Sequence, residues 1–463
     1  MAIRQKKDLG EKLSLFHLTW PIFLEVFLFM LMGIADTFML SAVSDNAVSG
    51  VGAANQYIHI AILILEVVGN GAAIVVSQYL GSRRYIEASK ISGLAVTLNL
   101  GVGIILSIGF VIFSKSIMAG MNLEGEVLEF ANQYLMIVGG GIFLQALINA
   151  LAAIIRVHGY TKQTMFVSLG MNIIHVVGNY ALIFGKFGFP ELGVQGAAIS
   201  SVVSRFIALL VFFWLLYQVM EYRVQVSYYF TISKEYVGKI LKIGLPSAFE
   251  QILYQGCQIV FLYYATYLGA EALAARQYAV NISMFTYLFA VAIGMGTAII
   301  VGRFVGANEK EEAYKSVWYS VKRAFVFTLV MVAVVITFRH PLMSLFTDNE
   351  EIIKIGASVL VLSIILETGR TLNIVIINSL RAAGDATFPV IMGALSMVMM
   401  SVPLGYLFVF VLDMGLPGIW LAIAADEWLR GIIMFFRWKS KKWEKYALVH
   451  EKEENSDLDS QTV

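Results

Sequence analysis

The sequence predicts an all-α integral membrane protein, with twelve transmembrane helices in two homologous six-helix bundles. Three observations carry the prediction. Of 463 residues, 59% are hydrophobic and only 14% are charged. A water-soluble chain carries about a quarter charged residues, so lipid must be the main solvent here. Apolar runs of the length needed to cross hydrocarbon, about 20 residues each, recur from end to end. Finally, the chain repeats itself at a nearly constant offset, the mark of an architecture built from duplicated units.

The apolar runs place helices near 14–40, 55–80, 92–114, 127–156, 163–185, 194–219, 238–268, 276–303, 318–338, 351–381, 387–411 and 416–437. The first is preceded by basic residues but by no small-residue cleavage site, so it reads as a retained helix rather than a signal peptide. Lys and Arg collect in alternate connections. Arg4, Lys6, Lys7 and Lys12 precede the first span, Arg83, Arg84 and Lys90 follow the second, and Arg156 and Lys162 follow the fourth. Arg223, Lys234 and Lys239 lie between the sixth and seventh, Arg303, Lys310 and Lys315 follow the eighth, Arg381 follows the tenth, and Arg437 to Lys445 follow the twelfth. Loops 41–54 and 411–416 have no basic residue and 185–193 has only Lys186. The positive-inside rule then puts both termini in the cytoplasm of a multi-pass cell-membrane protein.

Shifting the chain by about 225 residues superposes it on itself. Pro21 and Glu25 meet Pro246 and Glu250; Gly69 and Gly71 meet Gly294 and Gly296; Gly81 meets Gly306; Arg156 and Gly159 meet Arg381 and Gly384. With six spans each, the halves share one orientation, and an axis along the membrane normal relates them. Residues 1–220 form the amino-terminal lobe, 221–237 a cytoplasmic connection, and 238–438 the carboxy-terminal lobe. Residues 439–463 form an acidic tail that reads as disordered. Two such bundles enclose a cleft that rocking opens to either side, which is the physical basis for expecting a secondary transporter.

Polar side chains at membrane depth are costly and therefore face the interior. Asp36, near the outer end of the first span, has no Lys or Arg within a helical turn, which suits it to exchange a proton or hold Na⁺. Asn172, His175 and Asn179 share one face of the fifth span and complete a candidate cation site, with Ser201 of the sixth beside it. Glu25 and Glu250, each four residues after a proline, either serve the helix or line the cleft for cationic substrates, and Glu66 is a further cleft candidate. Glu367 and Arg370 are three apart and can pair on one helix face. Glu427 and Arg430 read as an inner-surface pair. Interhelical hydrogen bonding is the structural alternative for the amide and hydroxyl residues. Mid-membrane ionisable residues look mainly acidic, which disfavours a cleft for anionic headgroups.

No Gly-rich loop ends in Gly-Lys-Ser/Thr, no His-Glu-x-x-His occurs, and Cys257 is the only cysteine, so ATP hydrolysis and metalloenzyme chemistry have no signal. A cofactor and enzymatic activity are not expected, and the near-zero net charge implies no nucleic-acid partner. An ion gradient is the simplest energy source.

From about Leu15 to Trp438 the chain resembles the multidrug and toxic compound extrusion (MATE) family. The resemblance rests on Trp20-Pro21, Asp36-Thr-Phe-Met, Gln78-Tyr-Leu-Gly81, Asn179-Tyr-Ala-Leu-Ile-Phe-Gly185 and Gly193-Val-Gln-Gly-Ala-Ala198. In the second half it rests on Gly244-Leu-Pro246 and Leu380-Arg-Ala-Ala-Gly-Asp385. It implies a two-lobed antiporter exporting organic cations and drugs in exchange for Na⁺ or H⁺, with no obligate protein partner. It also implies a cation site at Asp36, with Na⁺ held there and at Asn179 as one form. The family's second carboxylate on the fifth span is replaced here by His175 and Asn179, and Ser201 stands where a threonine is common. Members with coupling acids in the carboxy-terminal lobe use the seventh and tenth spans, which here carry Glu250 and Glu367. A lipid-linked oligosaccharide or precursor flippase of a related two-lobed fold is the alternative, and a membrane scaffold or sensor the third reading.

Overall fold

The computed structural model describes residues 13–449 except 122 and 221. The basic residues Arg4, Lys6, Lys7 and Lys12 and the acids from Glu451 onward lie outside the described residues.

Twelve long helices follow one another. They are α1 (Leu15–Ser41), α2 (Asp45–Gly81), α3 (Tyr85–Ala119), α4 (Gly125–Gly139 and Ile142–Val157), α5 (Thr161–Ile183) and α6 (Val194–Val219), then α7 (Lys234–Thr266), α8 (Ala270–Gly306), α9 (Lys310–Thr337), α10 (Glu350–Ala382), α11 (Thr387–Val411) and α12 (Leu416–Lys439). Two short helices, Val226–Phe230 and Arg339–Ser344, sit in connections. Among the described residues nine of the long helices are apolar and long enough to cross a membrane, and α4 makes ten if its two pieces, bent by 46°, count as one. The other two have the length but carry more charge: Lys239, Lys242 and Glu250 on α7, and Asp426, Glu427, Arg430 and Arg437 on α12. Several helices outrun their apolar runs. The α2 helix begins ten residues before the expected start because Ser44 caps it, accepting a bond from the Ala47 amide. Asn349 caps α10 in the same way, accepting from Glu351 and Ile352.

In the first lobe α1 packs on α5, α5 on α6, and α4 on α2, α3 and α6. In the second α10 packs on α8, α9 and α12, and α11 on α7 and α12. The lobes meet where α1 lies on α8 and α2 lies on α7 and α8.

At the end that carries the start of α1 and the close of α12, the contact between the lobes obeys the repeat. A Cβ on Gly81 would meet the carbonyl oxygen of Arg303, and one on Gly306 would meet that of Gln78. The pairs exchange under the 225-residue shift. The Gln78 amide donates to the Ala382 carbonyl at 2.7 Å, and the Arg303 guanidinium donates to the Val157 carbonyl at 2.6 Å, again repeat mates. The α2 and α8 backbones therefore cross in contact, latched by cross-lobe bonds from both helices. Gly159 and Gly384, with φ of +89° and +96°, turn the chain just after α4 and α10 in the left-handed region that glycine tolerates best.

The tail expected to be disordered from 439 is ordered through its first ten residues. A 3₁₀ turn spans Lys442–Tyr446, Trp443 is fully buried, and Leu448 is 3% exposed. Burying a tryptophan and a leucine, with the ion pairs and hydrogen bonds of this segment, offsets part of its ordering cost.

Candidate functional site

Asp36 sits on α1 with its side chain 16% exposed. Its Oδ1 lies 2.6 Å from His175 Nε2 and accepts from Asn179 Nδ2 at 2.7 Å. Asn179 Nδ2 also lies 3.2 Å from His175 Nε2, so the three side chains form one cluster between α1 and α5. The helical spacing of four puts both α5 groups on the face that meets α1. The His175 backbone is tied to α6 by Ser200, whose hydroxyl donates to its carbonyl at 2.8 Å. His175 Nδ1 and Asn179 Oδ1 are buried without a hydrogen-bond partner. An imidazole with only Nε2 engaged can hold its shared proton on the line to Asp36, whereas a second proton on Nδ1 would leave a buried donor unmet.

Three expectations for this cluster are corrected. Asp36 is not remote from positive charge: buried Arg205 of α6 is within electrostatic reach of both Asp36 and Tyr134 of α4, with Nη1 unpartnered. Sequence reading missed Arg205 because helix contacts between α1 and α6 are invisible in a linear window; the one signal was an arginine inside an otherwise apolar run. Ser201 does not reach the cluster, because its hydroxyl donates to the Ala197 carbonyl of its own helix at 3.0 Å. Asn172 is likewise not in the cluster. It lies one helical turn nearer the termini side, its Oδ1 unpartnered, and lines a cavity instead.

That cavity, about 510 Å³, lies between the lobes just above the α2–α8 crossing. Its walls come from α1, α2, α4 and α5 on one side and from α7, α8 and α10 on the other. Glu25, Glu66, Arg156 and Arg381 line it, together with the carboxamides of Asn70, Gln145, Asn149, Asn172 and Asn378 and apolar groups such as Phe29, Met171 and Met295.

Glu25 is not free to act as a bare anion. Arg156 of α4 pairs with it at 3.1 Å, and Ser168 and Thr164 donate to it at 3.1 and 3.3 Å. Glu250 pairs with Arg381 at 2.6 Å, the repeat image of the same bridge. Each lobe therefore pins its proline-containing helix, α1 or α7, to the last turn of α4 or α10. The two arginines had been read only as inner-surface charges. Deleting one partner of such a pair strands the other, at a cost of about 3 kcal/mol. Glu25→Ala and Arg156→Ala are each expected to lower the melting temperature more than the double substitution does, measured by fluorescence-detected size exclusion after heating.

Three more cleft assignments are corrected. Glu250, Glu367 and Arg370 do not line the interlobe cavity; they belong to a network buried inside the second lobe. Glu367, fully buried, accepts from Arg370 at 2.9 Å, and Arg370 stands 3.6 Å from Glu427. Arg430 bridges Asp426 and Glu427 at 2.9 and 3.1 Å, Asn373 donates to Glu427, and Ser396 donates to Asp426. Glu427 and Arg430, read as an inner-surface pair, are each 3% exposed. The impression that membrane-depth charges are mainly acidic also fails, since Arg156, Arg205, Arg276, Arg370, Arg381 and Arg430 answer the acids.

Glu66 gains by this accounting. It is the one cavity carboxylate for which no ion pair is found among the described residues, although Arg156 is within electrostatic reach. Glu25 is paired with Arg156 and Arg381 with Glu250, which leaves Glu66 as the acidic group of the cavity wall outside those bridges.

The MatE family model matches residues 21–181 and 246–407, one match in each lobe. The chain is 41% identical to a protein of Bacillus subtilis (strain 168) named as the uncharacterized transporter YisQ, over 95% of this chain and 96% of the relative. It is 27% identical to a probable multidrug resistance protein NorM of Thermotoga maritima, over 96% of each. Among solved structures it superposes on an outward-facing conformation of a multidrug resistance MATE family transporter with a TM-score of 0.85. That likeness has 22% identity and covers 92% of this chain and 95% of the other. A transporter from Pyrococcus furiosus, described as having a binding pocket of reverse polarity, superposes equally well at 22% identity.

Proposed function

The chain belongs to the MATE family of membrane transporters, and from that premise we propose that it exports amphipathic organic cations in exchange for protons, by alternating access between its lobes. The observation that carries the proposal is the double duty of α1 and α5. Each contributes to the Asp36–His175–Asn179 cluster at one level and to the cavity wall at another, through Glu25 and Phe29 on α1 and Ser168 and Asn172 on α5. Adding a proton at Asp36 removes the charge that His175 and Asn179 hold across the α1–α5 contact. The same contact shapes the cavity wall, so proton and cation occupancy oppose one another.

Protons fit this cluster better than Na⁺. The ligands are arranged as N–H donors converging on one carboxylate oxygen, and a hard cation wants an oxygen cage. Na⁺ coupling at Asp36 and Asn179 is the alternative that the ion-gradient test below separates.

Glu66 supplies the counter-charge for the substrate, with Phe29, Met171 and Met295 as apolar wall and the carboxamides for hydrogen bonds. The alternating Lys and Arg bias supports a cell-membrane protein with the sealed, termini-bearing end in the cytoplasm. The molecule is then closed inward, and export requires the α2–α8 crossing to part. The test is ethidium transport by the purified protein in vesicles. Glu66→Gln is expected to raise the KM for ethidium about tenfold, the value of one partly buried charge pair, with a much smaller change for an uncharged dye. Equal loss for charged and uncharged dyes would assign Glu66 a structural role instead.

A further inference from the structure

The carboxy-terminal segment that follows α12 crosses from its own lobe to the other. Its first part is anchored at home. Trp443 stacks on Trp438 at 4.3 Å between ring centroids and donates to the Trp438 carbonyl at 3.1 Å. Arg437 pairs with Asp385 at 2.8 Å and reaches the Tyr446 hydroxyl at 3.4 Å, and Lys441 pairs with Glu311. The Tyr446 carbonyl sits where a Cβ on Gly384 would be, so the strand lies flat on the turn after α10.

Its last described part lies at the seam between the lobes. Leu448 is buried in an apolar cluster drawn from both, with Leu80 of α2 and Ala88 and Ile91 of α3 from the first lobe and Ile299 and Ile300 of α8 and Ala386 from the second, and Val449 is packed against it. The Leu448 amide donates at 2.7 Å to Gln78 Oε1. Gln78 is the residue whose amide nitrogen latches α2 to the Ala382 carbonyl. One buried glutamine thus joins α2, the end of α10 and the tail, and both its polar atoms are satisfied only while the lobes are closed at this end.

We infer that residues 443–449 are a conformational strap: fixed to the second lobe through Trp443 and joined to the first through Gln78, it holds the termini side of the molecule shut. The inference rests on the alternating-access reading. Opening that side must split the shared apolar cluster around Leu448 and free Gln78 from its Ala382 and Leu448 partners, so the strap biases the resting population toward the sealed state. Any factor that binds the freed strap would favour the opposite state.

The experiment uses full-length protein carrying Cys257→Ala and Ser77→Cys. Ser77 is 1% exposed in the closed seam, donating to the Ile299 carbonyl across the lobes. Maleimide labelling of that cysteine in vesicles reads seam opening. A chain stopped after Ala447 is expected to label about tenfold faster than one stopped after Val449, and Leu448→Asp is expected to match the shorter chain. Equal rates in all three, with each eluting as a sharp monodisperse peak, would overturn the strap. If the truncated chain does not fold, Leu448→Ala decides alone: faster labelling supports the strap and an unchanged rate rejects it. Labelling that never occurs in wild type under any imposed gradient would instead count against alternating access.

Discussion

Asp36→Asn abolishes gradient-driven dye efflux while leaving the protein folded. Asparagine keeps an oxygen where Oδ1 accepts from His175 and Asn179, at 2.6 and 2.7 Å in the wild type, so the α1–α5 contact survives. What it loses is the capacity to gain and lose a proton. The expected result is a variant with wild-type expression and melting temperature that still binds ethidium but no longer moves it against a gradient. Binding is measured by fluorescence polarisation and transport by dye movement in vesicles. Arg205 sharpens the prediction. With the aspartate neutralised, its guanidinium has lost a nearby counter-charge, so Arg205→Met combined with Asp36→Asn is expected to be more heat-stable than Asp36→Asn alone. Efflux retained by Asp36→Asn would move coupling to the buried acids of the second lobe, Glu250 or Glu367.

The second large effect is expected at the α2–α8 crossing. Gly81→Ala or Gly306→Ala places a methyl on a partner-helix carbonyl that cannot move without its helix. Overpacking of this kind costs about 1–3 kcal/mol. Because the clash exists only when the lobes are shut at this end, the cost falls on one facing state, an expected shift of roughly 5–150-fold between the two. Transport falls steeply while the lobes fold normally, and labelling of Ser77→Cys rises. The double substitution adds little beyond either single one, since one methyl already holds the crossing open. A control at Gly101, where a Cβ meets nothing within 4 Å, is expected to be silent.

The two-lobe architecture was legible because it follows from periodic hydrophobicity and an internal offset, both one-dimensional signals. Helix ends were less so. The polar first turns of α2 and α9 are cytoplasmic-type or loop-like in composition, yet they continue helices that start at Asp45 and Lys310. Asp36, His175 and Asn179 could be grouped because two of them share a helix face and the third is an acid with no Lys or Arg within a helical turn. Arg205, and the bridges Glu25–Arg156 and Glu250–Arg381, could not be assigned, because partners 131 residues apart meet only after helices pack. The repeat did contain the clue: Glu25 with Arg156 and Glu250 with Arg381 shift together by one offset, as paired residues in a duplicated fold should. Glu66 was underrated for the converse reason. Its importance comes from the neutralisation of the other carboxylates, which is a property of the packed lobes.

The account's central claim is proton-for-cation exchange, and the most direct measurement is dye movement in vesicles of purified wild-type protein under a pH gradient or a Na⁺ gradient imposed one at a time. The account predicts uptake driven by the pH gradient, with the vesicle lumen alkalinising in step as protons leave, and no uptake under Na⁺ alone at matched pH. Uptake driven by Na⁺ with no proton movement would contradict it.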